Sequence, residues 1–499
     1  MPEVAGSHRQ RRRNIGNGRQ ATDILRTRTT TSRKIPGATA FASPSGGDII
    51  EPATVAAPDD EAQPVKRERR YDVDWLRVIL FGLLLPFHVA IGVYVDAYDF
   101  VLPDYEEDED KSRDSLDQEA GEDAANVYTS LGTGVLGWMH EWRIAALFMI
   151  SGMGTAFAFK RRTWKIFLKE RTKRLLIPMI AGIWTITPIT WMIILRYFPG
   201  SILEGMAAFL GFGIVMTFMM IIPLLCRLLA LGHLWFIWSL LQYSIILIPI
   251  FSIVRNNPDG RISRVIKGVF KMPFRMGPLL ILPLILTISD LLFKPLMGEA
   301  IGFGYEWPWY LLTFLFGYMF IIAKDQYFEF IDNSRIQITI ATVIFTIAFF
   351  WIRAEEVKTG IPYIGGGWIE NNEFYHTNMT IISCFVTSFH AWFWCLAIFS
   401  WGAFLLNRPS SHLAYLNRGV YPFYIIHQPL VYIGLFFLLR EGYSDLTVFL
   451  LTTALVVLGC WIFFEAMKRN WVTRMMYGIK ERPKKSEQVQ DDTEKPPVV

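Results

Sequence analysis

An arginine and a histidine share the first long apolar run of the chain, Trp75 to Val95, with Arg77 near its start and His88 near its middle. On an α-helix, at about 100° per residue, this spacing returns the two to within roughly 20° on one face, about 16 Å apart along the axis. Asp74 falls on the same face. An imidazole can take a proton from a hydroxyl near neutral pH, and a guanidinium is a permanent cation that suits phosphate or carboxylate oxygens. Lipid solvates neither group, so each must face a cavity or a partner, which makes both candidates for function. The structural alternative is an arginine that snorkels to the interface and a histidine that hydrogen-bonds between helices. On these two residues alone both readings stay open.

Further polar groups recur in apolar surroundings. The second apolar run opens with His140, Glu141, Trp142 and Arg143 and continues as LFMISGMG, which puts Ser151 and Gly152 near its middle. A Ser-Gly pair in a span serves close helix packing, with the hydroxyl bonded back to its own helix. Arg143 fits a packing role less well, because it lies on the side that the positive-inside tendency disfavours. The connection after this run ends in Arg171-Thr-Lys-Arg174-Leu-Leu-Ile-Pro178. Arg171 and Arg174 are three apart, side by side on a helix, a geometry that suits a phosphate-rich ligand. Contact with anionic lipid explains the same basic loop. His233 opens HLWFIWSLLQY, and His427 sits in VYPFYIIHQPLVY with Tyr421 and Tyr424 at three-residue steps before it. Each histidine singly reads as a satisfied polar group; a cavity shared by several helices explains the set best. Cys226, Cys384, Cys395 and Cys460 all lie in apolar runs at spacings that fit no metal site. There is no phosphate loop, dinucleotide fingerprint or nucleic-acid-binding pattern, and no metal or bound cofactor is expected.

The elements that position these residues follow from composition. The chain has 499 residues, 52% hydrophobic and 19% charged, with a mean hydropathy of +0.30. The fold class is therefore an all-α polytopic membrane protein, since no backbone at bilayer depth can stay unpaired. Apolar runs cover about 74–95, 142–159, 175–197, 206–231, 233–254, 276–292, 305–323, 336–353, 380–405, 420–439 and 447–467. Lys and Arg crowd before the first run, between the second and third, across 255–275 and after the last, so these segments are expected to be cytoplasmic. The acidic loop from Asp96 to Asn126 belongs on the other side. Eleven single crossings would put the basic 255–275 loop outside, so one run does not span. We assign this to 206–231, which holds Gly211, Gly213, Pro223 and Arg227, as a re-entrant or interfacial segment; a non-spanning 276–292 is the alternative. About ten transmembrane helices remain, with both termini cytoplasmic. Residues 1–70 form a basic tail too poor in apolar residues to build a core, 71–470 the membrane domain, and 471–499 a C-terminal tail. The Arg- and Thr-rich start also fits an organellar transit peptide, which Glu3 and the lack of an amphipathic stripe oppose. The first span itself is expected to direct insertion, into a membrane the sequence does not name.

Asp74-x-x-Arg77 followed by His88, Arg143 with LFMISG, Arg171-x-x-Arg174-Leu-Leu-x-Pro178, HLWF from His233, and YPFYIIHQP around His427 occur in this order over about 71–470. Together they resemble the acyltransferase family 3 membrane proteins, with the nearest likeness to the glucan-modifying branch typified by bacterial glucan succinyltransferases. The resemblance implies a membrane-embedded enzyme that takes an acyl group from cytoplasmic acyl-CoA and delivers it to a hydroxyl, usually of a carbohydrate. It also implies that Arg77 and His88 are essential and that Arg171 and Arg174 serve acyl-CoA binding. The long acidic loop and basic N-terminal tail depart from the compact bacterial pattern and leave compartment and acceptor open.

The chemistry agrees with the resemblance. Acyl transfer from a thioester needs a base for the acceptor hydroxyl, stabilisation of the developing oxyanion, and a seat for the CoA phosphates. His88 is the expected base. Arg77, Arg171 and Arg174 would hold the CoA head, with its pantetheine arm covering the rise towards His88. Asp74, Arg143, Ser151, His233, Tyr424 and His427 are the expected substrate-contacting or supporting residues. Direct transfer is expected over an acyl-histidine intermediate, and Ser151 as nucleophile has no base placed by sequence. Acetyl and succinyl donors both remain candidates, since Arg143 offers the extra cation a succinyl carboxylate needs. The competing class is a transporter whose solute or proton path uses the same residues; the absence of a second Arg-x10-His pattern in the other half speaks against it.

Overall fold

The computed structural model describes residues 70–94, 122–160, 162–195, 200–221, 232–297, 304–359 and 378–480. Most of the expected N-terminal tail, most of the acidic loop, Pro223, Cys226, Arg227 and residues 481–499 lie outside these residues. All regular elements among the described residues are helical. In chain order they are α1 (Tyr71–Tyr94), α2 (Glu122–Lys160), α3 (Trp164–Arg171), α4 (Ile177–Thr185), α5 (Thr187–Ile194), α6 (Ile202–Ile221), α7 (Trp235–Ile246), α8 (Ile248–Asn256) and α9 (Arg261–Phe270). There follow α10 (Leu282–Met297), α11 (Glu306–Ile322), α12 (Lys324–Asn333), α13 (Arg335–Thr359), α14 (Asn378–Leu405), α15 (Leu413–Arg440), α16 (Asp445–Met467) and α17 (Trp471–Met476).

Among the described residues eight helical runs are long and apolar enough to cross a bilayer, and counting each of the bent pairs α7–α8 and α11–α12 as one span brings the number to ten. The expectation of an all-helical bundle of about ten spans holds. The 48° bend between α7 and α8 has an identifiable cause, since Pro249 stands in the first turn of α8 and withholds a backbone donor. Ahead of α4, residues 172–176 widen into a π-turn, with the Ile177 N–H reaching the Thr172 carbonyl. Pro178 has no N–H for the Arg174 carbonyl, so the regular ladder cannot continue there. The segment expected to be re-entrant, 206–231, overlaps α6 over its described part. Gly211 and Gly213 do not break that helix, and a Cβ at Gly213 would come within 2.7 Å of the Trp184 ring. Its apolar part, Leu203–Val215, is shorter than the spanning helices.

The span of α2 forms the centre, with 78% of its apolar window buried against 22% for α13 and α16, whose outer faces are apolar. Two glycines let α2 and α11 touch backbone to backbone. A Cβ on Gly152 would lie 2.0 Å from the Phe314 carbonyl oxygen, and one on Gly317 would lie 2.0 Å from that of Met149. This is the close-packing role expected for Gly152. Ser151 behaves as its packing reading required, its hydroxyl donating to the Leu147 carbonyl at 2.8 Å. Cys384, Cys395 and Cys460 are buried free thiols.

Candidate active site

A cavity of about 530 Å³ opens between α1, α2, α5, the turn at 232–234, α7 and α15. Most of its wall is apolar, and its polar groups are concentrated in four histidines, Arg143, Gln428 and two threonines of α5. His88 enters from α1, His140 and Arg143 from α2, His233 from the turn before α7, and His427 from α15. The rings of His88 and His427 are 5.1 Å apart, and those of His427 and His233 5.3 Å. Three imidazoles separated by more than a hundred residues at each step of sequence thus form one continuous array.

The local chain explains how two of these rings are held. α15 contains Pro422 and Pro429. Residue 429 would ordinarily donate its N–H to the Ile425 carbonyl, and a proline there leaves that oxygen without its helical partner. His233 Nε2 lies 2.8 Å from the Ile425 oxygen, and His427 Nδ1 2.6 Å from the Tyr424 oxygen. A carbonyl only accepts, so both nitrogens carry hydrogens, and in the neutral imidazole the other nitrogen is the one with a lone pair. His427 Nε2 is buried and has no hydrogen-bond partner among the described residues. The Tyr424 hydroxyl donates in return to the His233 carbonyl. The turn bearing His233 and the helix bearing His427 are therefore clasped by reciprocal bonds.

Phe87 ties the rest of the array together. The Arg143 guanidinium carbon stands 3.5 Å from its ring centroid, His140 stacks on it at 6.0 Å, and His88 meets it edge-on at 5.6 Å. Arg143 is 1% exposed and is the one guanidinium or ammonium among the described residues lining the cavity. A cation over an aromatic face in a dry site is held there by the ring quadrupole and by the cost of moving it.

Arg77 does not line this cavity. It pairs with Asp74 at 3.4 Å and reaches α2 beside Gly154, whose Cβ position is 3.6 Å from its Nη2. The neighbouring Thr155 accepts from the Arg171 guanidinium at 2.5 Å and itself donates to the Ser151 carbonyl at 2.8 Å. Arg171 is within electrostatic reach of both Arg174 and Arg77. The structure thus brings the expected site residues together as two groups. One is a histidine-rich cavity with His88, Arg143, His233, Tyr424 and His427. The other is a cationic cluster with Asp74, Arg77, Arg171 and Arg174. Ser151 joins neither directly; its carbonyl supports Thr155. Sequence reasoning missed Thr155, Phe87, Thr187, Thr190 and Gln428. Only Thr155 had a readable signal, one helical turn after Ser151.

A second, separate space of about 30 Å³ lies between Glu141, Asp290, Lys294 and Glu306, with Ser388 donating to Asp290 at 3.0 Å. It has room for about one water molecule. Among the described residues no three His, Cys, Asp or Glu side chains stand in a metal-binding arrangement.

A family model described as an acyltransferase domain, that of acyltransferase family 3, matches residues 70–465. Proteins named glucans biosynthesis protein C from Escherichia coli and Shigella dysenteriae are each 23% identical to the chain over 388 residues. Each alignment covers 74% of this chain and 83% of the relative. No solved structure matches it. With the family model running from α1 almost to the end of α16 and covering both groups of polar residues, the chain belongs to the acyltransferase-3 family of multi-pass integral membrane proteins.

Proposed function

We propose that the protein moves an acetyl or succinyl group from acyl-CoA to a hydroxyl of a carbohydrate, of the glucan class named by its relatives, with His88 as the base. The observation that carries this reading is the array of His88, His427 and His233 in one cavity, with His88 on the same helix, α1, as Arg77 of the cationic cluster. A volume of about 530 Å³ falls within the ordinary range of small-molecule sites, roughly 300–1,000 Å³. Apolar walls suit a desolvated thioester and its acyl chain, and a sugar need present only one hydroxyl to them.

In this reading Arg77, Arg171 and Arg174 hold the CoA phosphates at the basic, cytoplasmic end, and the pantetheine arm runs along α1. The acceptor oxygen attacks the thioester carbonyl carbon while His88 takes the hydroxyl proton. The tetrahedral oxyanion is stabilised by Arg143, whose charge is already fixed over Phe87. Collapse breaks the C–S bond, and the departing thiolate takes the proton back from imidazolium. The new ester and free CoA account for every atom, and no covalent enzyme intermediate is needed.

The test is CoA release by the purified chain in liposomes, from labelled acetyl-CoA and succinyl-CoA with mixed glucan acceptors, for wild type and His88→Ala. Acceptor-dependent release that His88→Ala abolishes while donor binding persists is the expected result. No release with either donor, alongside a solute flux that His88→Ala alters, would replace the enzyme with a transporter. Isolation of a labelled acyl-histidine without acceptor would replace direct transfer with a two-step route.

A further inference from the structure

Beyond α17 the chain does not leave the bundle at once. Gly478 adopts φ +64°, the left-handed conformation in which helices end most easily on glycine. The Ile479 N–H returns to the Arg474 carbonyl at 2.8 Å and the Gly478 N–H to that of Met475 at 3.4 Å, which closes the helix C-terminus. Both neighbours of this glycine are buried, Tyr477 at 5% and Ile479 at 6% exposure. The Tyr477 hydroxyl meets that of Thr185 at 3.1 Å, and Arg418 Nε donates to the Lys480 carbonyl at 3.0 Å. A Cβ on Gly478 would come within 2.8 Å of the Tyr421 ring and 3.3 Å of Pro178. Residues 477–480 are therefore wedged between the start of α4 and the start of α15, beside the π-turn that bears Arg174.

The last described residue of the hook is Lys480, partly enclosed by the helices around it and still reaching solvent. Lys480 is held below the ordinary lysine range, first by desolvation, then by the positive charges of Arg174 and Arg77, with Asp74 opposing and Arg171 adding to the effect. Gly478 packs against Pro178, which follows the π-turn of Arg174, so Lys480, two residues on, joins Arg174, Arg77 and Arg171 in one neighbourhood in which Asp74 is the carboxylate acting on it. Like charges gathered this way repel unless an anion joins them. Nothing in the packing of the hook requires a cation at its tip, since the bonds that fix it use the Lys480 carbonyl, the Ile479 N–H and the Tyr477 hydroxyl.

We propose that Lys480 is a fourth cation of the donor site, delivered by the C-terminal hook to contact the phosphate esters of acyl-CoA alongside Arg77, Arg171 and Arg174. The inference rests on the acyl-CoA reading above. It makes the hook part of the binding site: Gly478 packs against Pro178 and Tyr421 and turns the chain, and Lys480 follows it two residues later. An ammonium on a flexible stem complements the planar guanidinium forks, following whichever phosphate oxygen they leave uncovered.

The experiment is equilibrium binding of labelled CoA to the full-length protein in phosphatidylcholine vesicles, for wild type, Lys480→Ala, Lys480→Arg and Arg171→Ala. A partner in a solvent-facing ion pair is worth modest energy, so Lys480→Ala is expected to weaken CoA binding by about fivefold and flatten its salt dependence. Lys480→Arg restores affinity, and the melting temperature of both variants stays at the wild-type value. Gly478→Ala, which moves the tip without removing the charge, weakens binding in the same direction. Repeating the series in phosphatidylglycerol vesicles separates the two sources of phosphate. A Lys480→Ala effect on the enrichment of phosphatidylglycerol around the protein in mixed vesicles, with CoA affinity unchanged in both lipids, assigns the lysine to lipid headgroups and overturns the proposal. Unchanged CoA affinity in Lys480→Ala beside a loss in Arg171→Ala overturns it while leaving the donor reading intact. A wild-type chain that binds no CoA removes both.

Discussion

Replacing Thr155 with valine deletes one hydroxyl and nearly preserves the side-chain shape. That oxygen links two helices: it donates to the Ser151 carbonyl within α2 and accepts from the Arg171 guanidinium ahead of α4 at 2.5 Å. The Ser151 carbonyl lies in mid-helix and keeps its backbone partner, so the fold is expected to survive. What is lost is the anchor of Arg171. A hydrogen bond to a charged group contributes about 1.5–3 kcal/mol, and because Arg171 is only half-buried the lower figure applies. About 1.5 kcal/mol corresponds to roughly a tenfold change in an equilibrium constant. If Arg171 binds the donor's phosphates, which are remote from the reacting carbon, this loss falls on donor binding. The assay is initial-rate CoA release in vesicles at varied acyl-CoA and saturating acceptor. The KM for acyl-CoA is expected to rise about tenfold with kcat changed less than about twofold. A fall in kcat at unchanged KM would place Arg171 in the chemical step, and no change in either would remove it from the donor site.

Further outcomes follow from the same geometry. Gly317→Ala sets a Cβ against the Met149 carbonyl and should cost about 1–3 kcal/mol, seen as a lower melting temperature in detergent; an unchanged melting temperature would contradict the backbone contact of α2 with α11. Tyr424→Phe removes the donor to the His233 carbonyl, worth about 1 kcal/mol. It should lower kcat by roughly fivefold at unchanged donor KM, whereas a pure stability loss with full kcat would make the clasp structural only. Arg143→Met takes the fixed cation out of the cavity while keeping a long apolar side chain. If Arg143 meets a succinyl carboxylate as well as the oxyanion, succinyl-CoA turnover should fall about tenfold further than acetyl-CoA turnover, and equal losses would confine Arg143 to the oxyanion.

The helical bundle was legible because lipid leaves the backbone no other way to satisfy its polar groups. Gly152 was legible for a local reason: a small residue beside a serine in an apolar run means close packing. The convergence of His88, His233 and His427 was suggested by their shared apolar setting, but their spacing in space was not, since it depends on how α1, α7 and α15 cross. Pro429 shows why. In sequence it reads as a kink, and only the fold reveals that the carbonyl it leaves unbonded is the one His233 uses. Arg77 and His88 were expected on one face of one helix, and the structure divides them between the cationic cluster and the cavity. Gly211 and Gly213 counted towards a non-spanning segment, yet α6 runs through both, and at Gly213 the missing side chain makes room for the Trp184 ring. Lys480 carried no local signal; its place depends on a glycine turn two residues earlier and on contacts with Pro178 and Tyr421.

The decisive measurement is mass spectrometry of the acceptor itself. Purified wild type and His88→Ala, each shown to bind CoA, are incubated in vesicles with acyl-labelled donor and a glucan. The wild-type reaction should yield an acceptor heavier by one acyl ester, in equal molar amount to the CoA released, and His88→Ala should yield none. An ester formed at the wild-type rate by His88→Ala would contradict the assignment of His88 as the base.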